Sequence, residues 1–211
     1  MSRVSVFIDG FNLYHSMMSD RELRKSKWLD LSRMANSIVS KGQTLTGIYY
    51  FTAYTPWDQA KRDRHKTYIR ALEHSGVEVI LGVFRLKPRK IKVRIEQRRE
   101  VDLELRYNSF EEKRTDVNIA ISLLKLAVSD HYDEAFIVSG DSDLVPAISE
   151  VITSYGKTVR IVIPPRQKAK ELCSVATSRK KLQRLHFQKN QFPLTITPPK
   201  GPLIECPREW R

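Results

Sequence analysis

Short apolar runs that alternate with helical patterns are the feature that most restricts the possible folds of this chain. Five runs rich in β-branched and aromatic residues predict strands at residues 4–8, 47–53, 77–84, 134–138 and 158–163. Helix signals fall between and after them, at residues 12–18, 29–39, 57–75, 114–128, 141–154 and 167–175. Strands that are apolar on both faces and alternate with helices form parallel sheets covered on both sides. The pattern predicts an α/β fold with about five parallel strands between two helical layers.

Residues 85–112 interrupt this alternation. The stretch from residue 85 to 99 carries eight basic residues and one acid, and apolar residues alternate at positions 91, 93, 95, 101, 103 and 105. Alternation of this kind predicts a β-hairpin that projects from the domain. Because the hairpin would follow the third strand, its basic residues would emerge at the edge of the sheet where that strand ends. They are candidates for binding a phosphate backbone there. These candidates are Arg85, Lys87, Arg89, Lys90, Lys92, Arg94, Arg98 and Arg99.

The C-terminal residues differ from the rest of the chain in composition and in hydrophobic periodicity. Five of the ten prolines lie between Pro193 and Pro207, and aliphatic periodicity ends near residue 189. This composition predicts a domain at residues 1–188 and an extended tail at 189–211, which either crosses the domain surface or hangs free.

Composition limits the partners and the compartment. Lys and Arg number 37 against 24 acids, a net charge of +13, which favours a nucleic acid partner over a membrane, although solubility alone is an alternative cause. Cys173 and Cys206 supply neither a disulfide framework nor a thiolate zinc site. The apolar run at the N-terminus is too short for a signal peptide, and no window reaches the length of a membrane span. We expect a cytoplasmic protein without a zinc site.

Four aspartates follow or precede predicted strands at positions where a parallel sheet would gather them. Asp9 directly follows the first strand, Asp141 and Asp143 follow the fourth, and Asp116 opens the helix that leads into the fourth. Sites in such sheets form beyond the carboxyl ends of the strands, where strand order reverses. Clustered carboxylates repel one another unless a cation neutralises them, and an all-oxygen donor set suits Mg²⁺ or Mn²⁺.

Each of these acids also has an ordinary structural explanation. Asp141 is well placed to cap a helix, Asp116 would favourably meet a helix dipole in a first turn, and Asn12 is equally plausible as a cap. The joint pattern, not any single residue, favours a metal site. Glu111 and Glu112 are second-rank candidates for the same site, and a solvated turn is the alternative explanation for them.

Three sequence blocks resemble the signature blocks of NYN domains, in the PIN-like nuclease superfamily. They lie at residues 6–14 (VFIDGFNLY), 115–124 (TDVNIAISLL) and 137–146 (IVSGDSDLVP) and are most similar to the LabA-like branch. The resemblance implies a Rossmann-like three-layer αβα fold and cleavage of RNA with Mg²⁺ or Mn²⁺. It also implies metal-binding roles for Asp9, Asp116, Asp141 and Asp143, a supporting role for Asn12, and hydrogen bonding by Ser139.

Three functions stay open from the sequence. The first is a metal-dependent endoribonuclease. The second is a catalytically weak RNA-binding or adaptor module with the same fold, and the third is a phosphatase acting on small phosphoesters. A second basic stretch at residues 157–189, with ten bases and one acid, either extends the RNA groove or is a solvated face. A homodimer is possible.

Overall fold

The structure, a computed structural model, describes the backbone of residues 1–97 and 99–211 and the side chains of residues 1–91 and 105–211. A six-stranded parallel sheet forms its centre. Its strands are β1 (Ser2–Asp9), β2 (Gln43–Thr52), β3 (Glu78–Leu81), β6 (Glu134–Val138), β7 (Thr158–Ile163) and β8 (Ser178–Lys181). Across the sheet they lie in the order β3-β2-β1-β6-β7-β8. Strand order reverses at β1, between β2 and β6, so the crevice expected at a switch point opens at the ends of β1 and β6.

Helices cover both faces of the sheet. They are α1 (Gly10–Ser19), α2 (Leu31–Ile38), α3 (Gln59–His74), α4 (Thr115–Val128), α5 (Val145–Thr153), α6 (Lys170–Val175) and α7 (Arg184–Gln188). Alternate residues of β1 divide between two cores: Val4, Val6 and Ile8 pack with α1 to α3, and Phe7 packs with α4 and α5. The predicted α/β fold with two helical layers is confirmed.

β1 and β2 begin two and four residues before their predicted starts, and β8 and β3 differ from the prediction as well. The sequence indicated about five strands, and β8 is an additional edge strand whose residues Ser178, Arg179, Lys180 and Lys181 form no apolar run. A strand at the edge of a sheet tolerates polar side chains, so it carries little periodic signal. β3 is also shorter than predicted. The chain leaves the sheet at Gly82, where an added Cβ would lie 2.8 Å from the carbonyl oxygen of Lys113.

A long antiparallel hairpin follows, formed by β4 (Val83–Gln97) and β5 (Arg99–Lys113). Its base is fixed by aromatic contacts. The Phe84 ring meets Phe11 of α1 at 5.5 Å between centroids and Trp57 at 5.0 Å, and Trp57 stacks on Phe110 at 4.5 Å. The predicted hairpin is present, and it starts two residues earlier than residue 85.

The proline-rich tail crosses the surface of the domain. It contains β9 (Thr195–Ile196) and β10 (Ile204–Glu205), and Phe192, Ile196, Ile204 and Cys206 are part of the core beside α1 to α3. The Trp28 indole N–H donates to the carbonyl of Pro193 at 2.8 Å, and the Trp28 ring lies 6.3 Å from Trp210. The tail therefore covers apolar surface of the domain. The boundary at residue 188 stays a prediction.

Four apolar residues at helical spacing on α4, Val117, Ile121, Leu124 and Val128, lie largely on the outside. Val117, Ile121 and Val128 are 59%, 57% and 64% exposed, while Leu124 is partly buried. The buried face of α4 instead carries Thr115, Ile119, Leu123 and Ala127. An apolar stripe ordinarily faces the core, but α4 has two, and packing selects the other one. In the described part of the chain, no helix combines the length and apolar character that a membrane crossing requires.

Candidate active site

The ends of β1 and β6 bring the predicted site residues together. Asp9, the last residue of β1, is buried, and its Oδ1 accepts from the backbone N–H of Asn12 at 2.9 Å. Its Oδ2 accepts from the Ser139 hydroxyl at 2.9 Å, and the Ser139 oxygen in turn accepts from the N–H of Asp141 at 3.1 Å. One buried serine thus links the first and third sequence blocks. Asp9 caps α1 and at the same time presents a carboxylate to the crevice.

Asp141 and Asp143 lie on the turn after β6. Asp141 Oδ1 accepts from the N–H of Asp143 at 3.0 Å and caps the 3₁₀ turn Ser142–Leu144. Asp141 is partly buried and Asp143 is exposed. The capping explanation offered by the sequence is therefore correct for Asp141, and it does not compete with a role in the crevice. For Asn12 it is wrong, because Asn12 lies inside α1 and Asp9 is the residue that caps this helix.

Asn12 holds this turn in place. Its side-chain Oδ1 accepts from the N–H of Gly140 at 2.9 Å, and its backbone oxygen accepts from the Gln167 side-chain amide at 2.9 Å. An added Cβ on Gly140 would lie 2.6 Å from Gln167 Oε1, so the turn and this amide approach closely. Gln167 was not a sequence candidate. It follows the end of β7, so the rule that identified the aspartates could also have identified Gln167.

Asp116, in the first turn of α4, shows the mutual effect of the acids. Burial, together with the neighbouring charges of Asp141, Asp9, Glu112 and Asp143, raises its pKa to about 6. The pKa of Asp9 is also raised, chiefly by burial, with smaller contributions from Asp141 and Glu112 and against the two hydrogen bonds that it accepts. We call Asp9, Asp116, Asp141 and Asp143 the aspartate cluster.

The two glutamates before α4, Glu111 and Glu112, have different surroundings in the structure. Glu112 Oε1 accepts from the backbone N–H and from the hydroxyl of Thr115 and faces the aspartate cluster. Glu111 pairs instead with Lys87, Arg89 and Lys113. The two glutamates point to opposite faces of the hairpin because neighbouring residues of a strand alternate.

The same alternation decides where the hairpin bases point. Phe84 is opposite Glu112, on the face that meets the domain, and Arg85, Lys87 and Arg89 share the other face with Glu111. Lys90 falls on the Phe84 face, farther from the base. Arg98 and the side chains of Lys92, Arg94 and Arg99 lie outside the described residues.

The second basic stretch is partly structural. Lys157 pairs with Asp130, Arg160 with Glu134, and both Arg166 and Arg184 with Asp20. The Lys180 ammonium donates to the carbonyl of Ile38 at 3.1 Å. These contacts give at least half of its ten bases a structural role, which weakens the explanation that the stretch extends an RNA groove.

The aspartate cluster lacks a cationic partner among the described side chains. Within residues 1–91 and 105–211, none of the lysines or arginines forms an ion pair with the four aspartates. In that same part of the chain, no three side chains of His, Cys, Asp and Glu converge closely enough to hold a metal ion. The neighbouring carboxylates are therefore near enough to contribute to the raised pKa values of Asp9 and Asp116, but the four side chains are spaced more widely than the ligands of a closed metal site.

We expect Asp116→Asn to stabilise the protein in EDTA increasingly as pH rises from 4 to 6. The folded state holds the Asp116 proton up to about pH 6, above the ordinary value of 3.8, so wild-type stability falls as pH rises through that window. An asparagine side chain does not titrate in this range, so the variant does not lose stability in this way. The measurement is urea unfolding at pH 4, 5, 6 and 7.5, with Asp63→Asn, an exposed aspartate of α3, as the control. An equal effect of Asp116→Asn at every pH would contradict the assignment.

Comparison with known proteins agrees with this geometry. The NYN domain family matches residues 3–181, which is most of the chain and includes all the residues described above as part of the site. The chain belongs to the NYN domain family. NYN domains are generally nucleases of the PIN-like superfamily, and the curled parallel sheet flanked by helices is consistent with that fold.

Two individual proteins are similar to this NYN chain. A curated relative, 6-hydroxy-3-succinoylpyridine 3-monooxygenase HspA of Pseudomonas putida, is 25% identical over 190 residues, which is 77% of this chain and 59% of that enzyme. The chain thus spans about three fifths of that relative's length. A crystal structure of a protein of unknown function from Vibrio parahaemolyticus superposes with a TM-score of 0.57 at 18% identity, covering 87% of this chain and 94% of that one. This second likeness concerns the fold alone.

Proposed function

We propose that this NYN protein is a metal-dependent endoribonuclease that hydrolyses RNA phosphodiester bonds at the aspartate cluster. The observation that carries the proposal is the meeting of four carboxylates at the switch point of the sheet, without a cationic partner among the described side chains. Family membership supports the reaction class. The three sequence blocks further suggest the LabA-like branch of the family.

The donor chemistry fits a hard divalent cation. Every charged group of the cluster is a carboxylate, and Mg²⁺ and Mn²⁺ prefer oxygen ligands. The raised pKa of Asp116 indicates that added positive charge would be favourable there. Asp9, Asp116 and Asp141 would hold the ion once their side chains draw closer together than they lie in this structure, with Asp143 as an exposed further ligand. When bound, such an ion lowers the pKa of a water ligand and neutralises charge on a phosphodiester.

The surrounding residues position the carboxylates. Ser139 orients Asp9 through its hydroxyl and accepts from the N–H of Asp141, so one side chain positions both parts of the cluster. Asn12 uses its side-chain oxygen on Gly140, which leaves its amide N–H groups available for a phosphate oxygen. Ser139 and Gln167 are positioning residues in this scheme.

RNA is proposed as the substrate because the chain carries a net charge of +13. The hairpin bases Arg85, Lys87 and Arg89 are on the face away from Glu112, so they would contact RNA that wraps around the hairpin and not RNA lying in the crevice. Lys90 is on the crevice side.

The test is cleavage of single-stranded and structured RNA with Mg²⁺, Mn²⁺ or EDTA. We expect products only with a divalent ion, and we expect Mn²⁺ or Mg²⁺ to raise the unfolding temperature at pH 7.5 in the absence of RNA. Folded protein that binds RNA with a strong salt dependence, ignores metal and yields no products would instead support the adaptor alternative. Hydrolysis of small chromogenic phosphoesters without RNA cleavage would support the phosphatase.

A further inference from the structure

A cavity of about 470 Å³ lies directly beside the aspartate cluster and is not used by the proposed chemistry. It opens to solvent and is lined by α1, α3, the segment after β2, the base of the hairpin and the C-terminal tail. Its size is within the range of about 300–1,000 Å³ that is usual for ligand pockets. Aromatic rings form much of the lining, chiefly Phe11, Tyr14, Tyr50, Trp57, Phe84 and Trp210.

The cavity and the cluster share a wall. Gly10, which lines the cavity, directly follows Asp9, and an added Cβ there would lie 2.6 Å from the Phe51 carbonyl and 2.7 Å from Cζ of Tyr50. Burial, with a smaller contribution from the Asp9 charge, raises the pKa of Tyr50 to about 12. Glu112 also lines the cavity while it raises the pKa values of Asp9 and Asp116. A ligand with both a ring and a phosphate would therefore reach both sites.

The charges around the cavity suit an anionic ligand. Lys27, Lys61 and Arg64 line it, against Glu112 as its acid. The Lys61 ammonium lies 5.9 Å from the centre of the Tyr14 ring, so an exposed cation and an exposed aromatic ring stand together. Burial lowers the pKa of His65 to about 4, so this lining imidazole is neutral at physiological pH, and its Nε2 lies 3.4 Å from the Thr52 hydroxyl oxygen.

The tail completes the lining. Trp210 lines the cavity and its ring lies 6.0 Å from Tyr68, which is also in the lining. Arg64 is held by Glu209 of the tail at 3.0 Å. The residues that the sequence indicated only as a proline-rich extension thus supply one aromatic wall and fix one cation of this cavity.

We propose that the cavity binds one unpaired nucleobase of the RNA substrate and thereby places the adjoining phosphate at the aspartate cluster. Aromatic side chains bind single-stranded bases by stacking, whereas bases inside a duplex are already stacked on their neighbours and would have to leave that stack to contact these rings. The inference rests on the proposed function and adds to it the preference for single-stranded RNA. A small aromatic acid is the alternative occupant of the cavity, and the test below distinguishes it from a nucleobase.

The test measures binding in EDTA, so that it does not depend on cleavage. The protein's tryptophan fluorescence is titrated with the pentaribonucleotide UUAUU and with the same backbone lacking bases. We expect the normal strand to quench the fluorescence and to bind at least tenfold more tightly than the abasic strand. Tyr14→Ala is expected to weaken binding of the normal strand about tenfold and to leave that of the abasic strand unchanged, since one stacking partner is lost.

Three further variants serve as controls for the effect of Tyr14→Ala on binding. Tyr155→Ala removes an exposed tyrosine that is not part of the cavity, and no change in affinity is expected. Trp57→Phe keeps a ring for Phe84 and Phe110 and should reduce the quenching, because it removes a tryptophan that lines the cavity. Lys61→Ala, an exposed position, provides a second variant if Tyr14→Ala fails to fold, and should weaken normal-strand binding.

Two results would overturn the inference. One is equal affinity for normal and abasic strands with no effect of Tyr14→Ala or Lys61→Ala. The other is quenching by benzoate that RNA does not compete away, which would assign the cavity to a small aromatic acid. Cleavage of UUAUU with Mn²⁺ separates this inference from the proposed function. Base-dependent binding without cleavage refutes the nuclease alone, and cleavage without base-dependent binding refutes the cavity's role alone.

Discussion

Asp141→Asn is expected to lower the rate of Mn²⁺-dependent RNA cleavage by about a hundred- to a thousandfold while leaving the fold intact. Asparagine retains the side-chain oxygen that accepts from the Asp143 N–H, and it is as good a capping residue as aspartate, so the turn is preserved. What is lost is the negative charge at the centre of the cluster. Removal of that charge should also weaken binding of the divalent ion, visible as a smaller rise in unfolding temperature with Mn²⁺.

The control is the same chemical change on an acid outside the cluster. Asp63→Asn on α3 removes one carboxylate charge from an exposed position and should leave cleavage and the response to Mn²⁺ unchanged. Wild-type cleavage rates in Asp141→Asn, together with a metal requirement, would place the active site elsewhere in the protein.

Leu123→Ala on α4 is expected to cost about 2–5 kcal/mol of unfolding free energy. The Leu123 side chain is fully buried in the core formed with β1, β2 and α5, so truncation leaves a cavity. Ile121→Ala removes side-chain carbon atoms from the same helix but from a position that is 57% exposed, and its effect should stay within about 0.5 kcal/mol.

This pair of variants is measured by urea denaturation monitored by circular dichroism. Both replace an aliphatic residue with alanine, so the difference between them reports the face of α4 that is buried. A larger loss for Ile121→Ala than for Leu123→Ala would mean that the stripe of Val117, Ile121 and Val128 is covered, for example in a homodimer.

Much of the fold could be predicted because it depends on local periodicity. β6 and β7 have the predicted bounds, since a strand buried on both faces must be apolar throughout and ends where that run ends. The meeting of Asp9 with the Asp141 turn followed from the same pattern, because the carboxyl ends of parallel strands share one edge. β8 was missed since Arg179, Lys180 and Lys181 at a sheet edge need no apolar run.

The sequence by itself determined the α/β fold, the edge at which the acids gather and the surplus of positive charge. The tertiary structure decided which surfaces face each other. On α4, the stripes containing Ile119 and Ile121 are about 200° apart at 100° per residue, and both are apolar, so the sequence does not show which one is buried. On the hairpin, Phe84 and Arg85 point to opposite faces, and the sequence does not show which face meets the domain. The structure places Phe84 and Glu112 on the face that meets the domain and Arg85 on the other. The aromatic cavity joins α1, α3, the hairpin and Trp210, and contacts between segments so distant in sequence arise only when the chain packs.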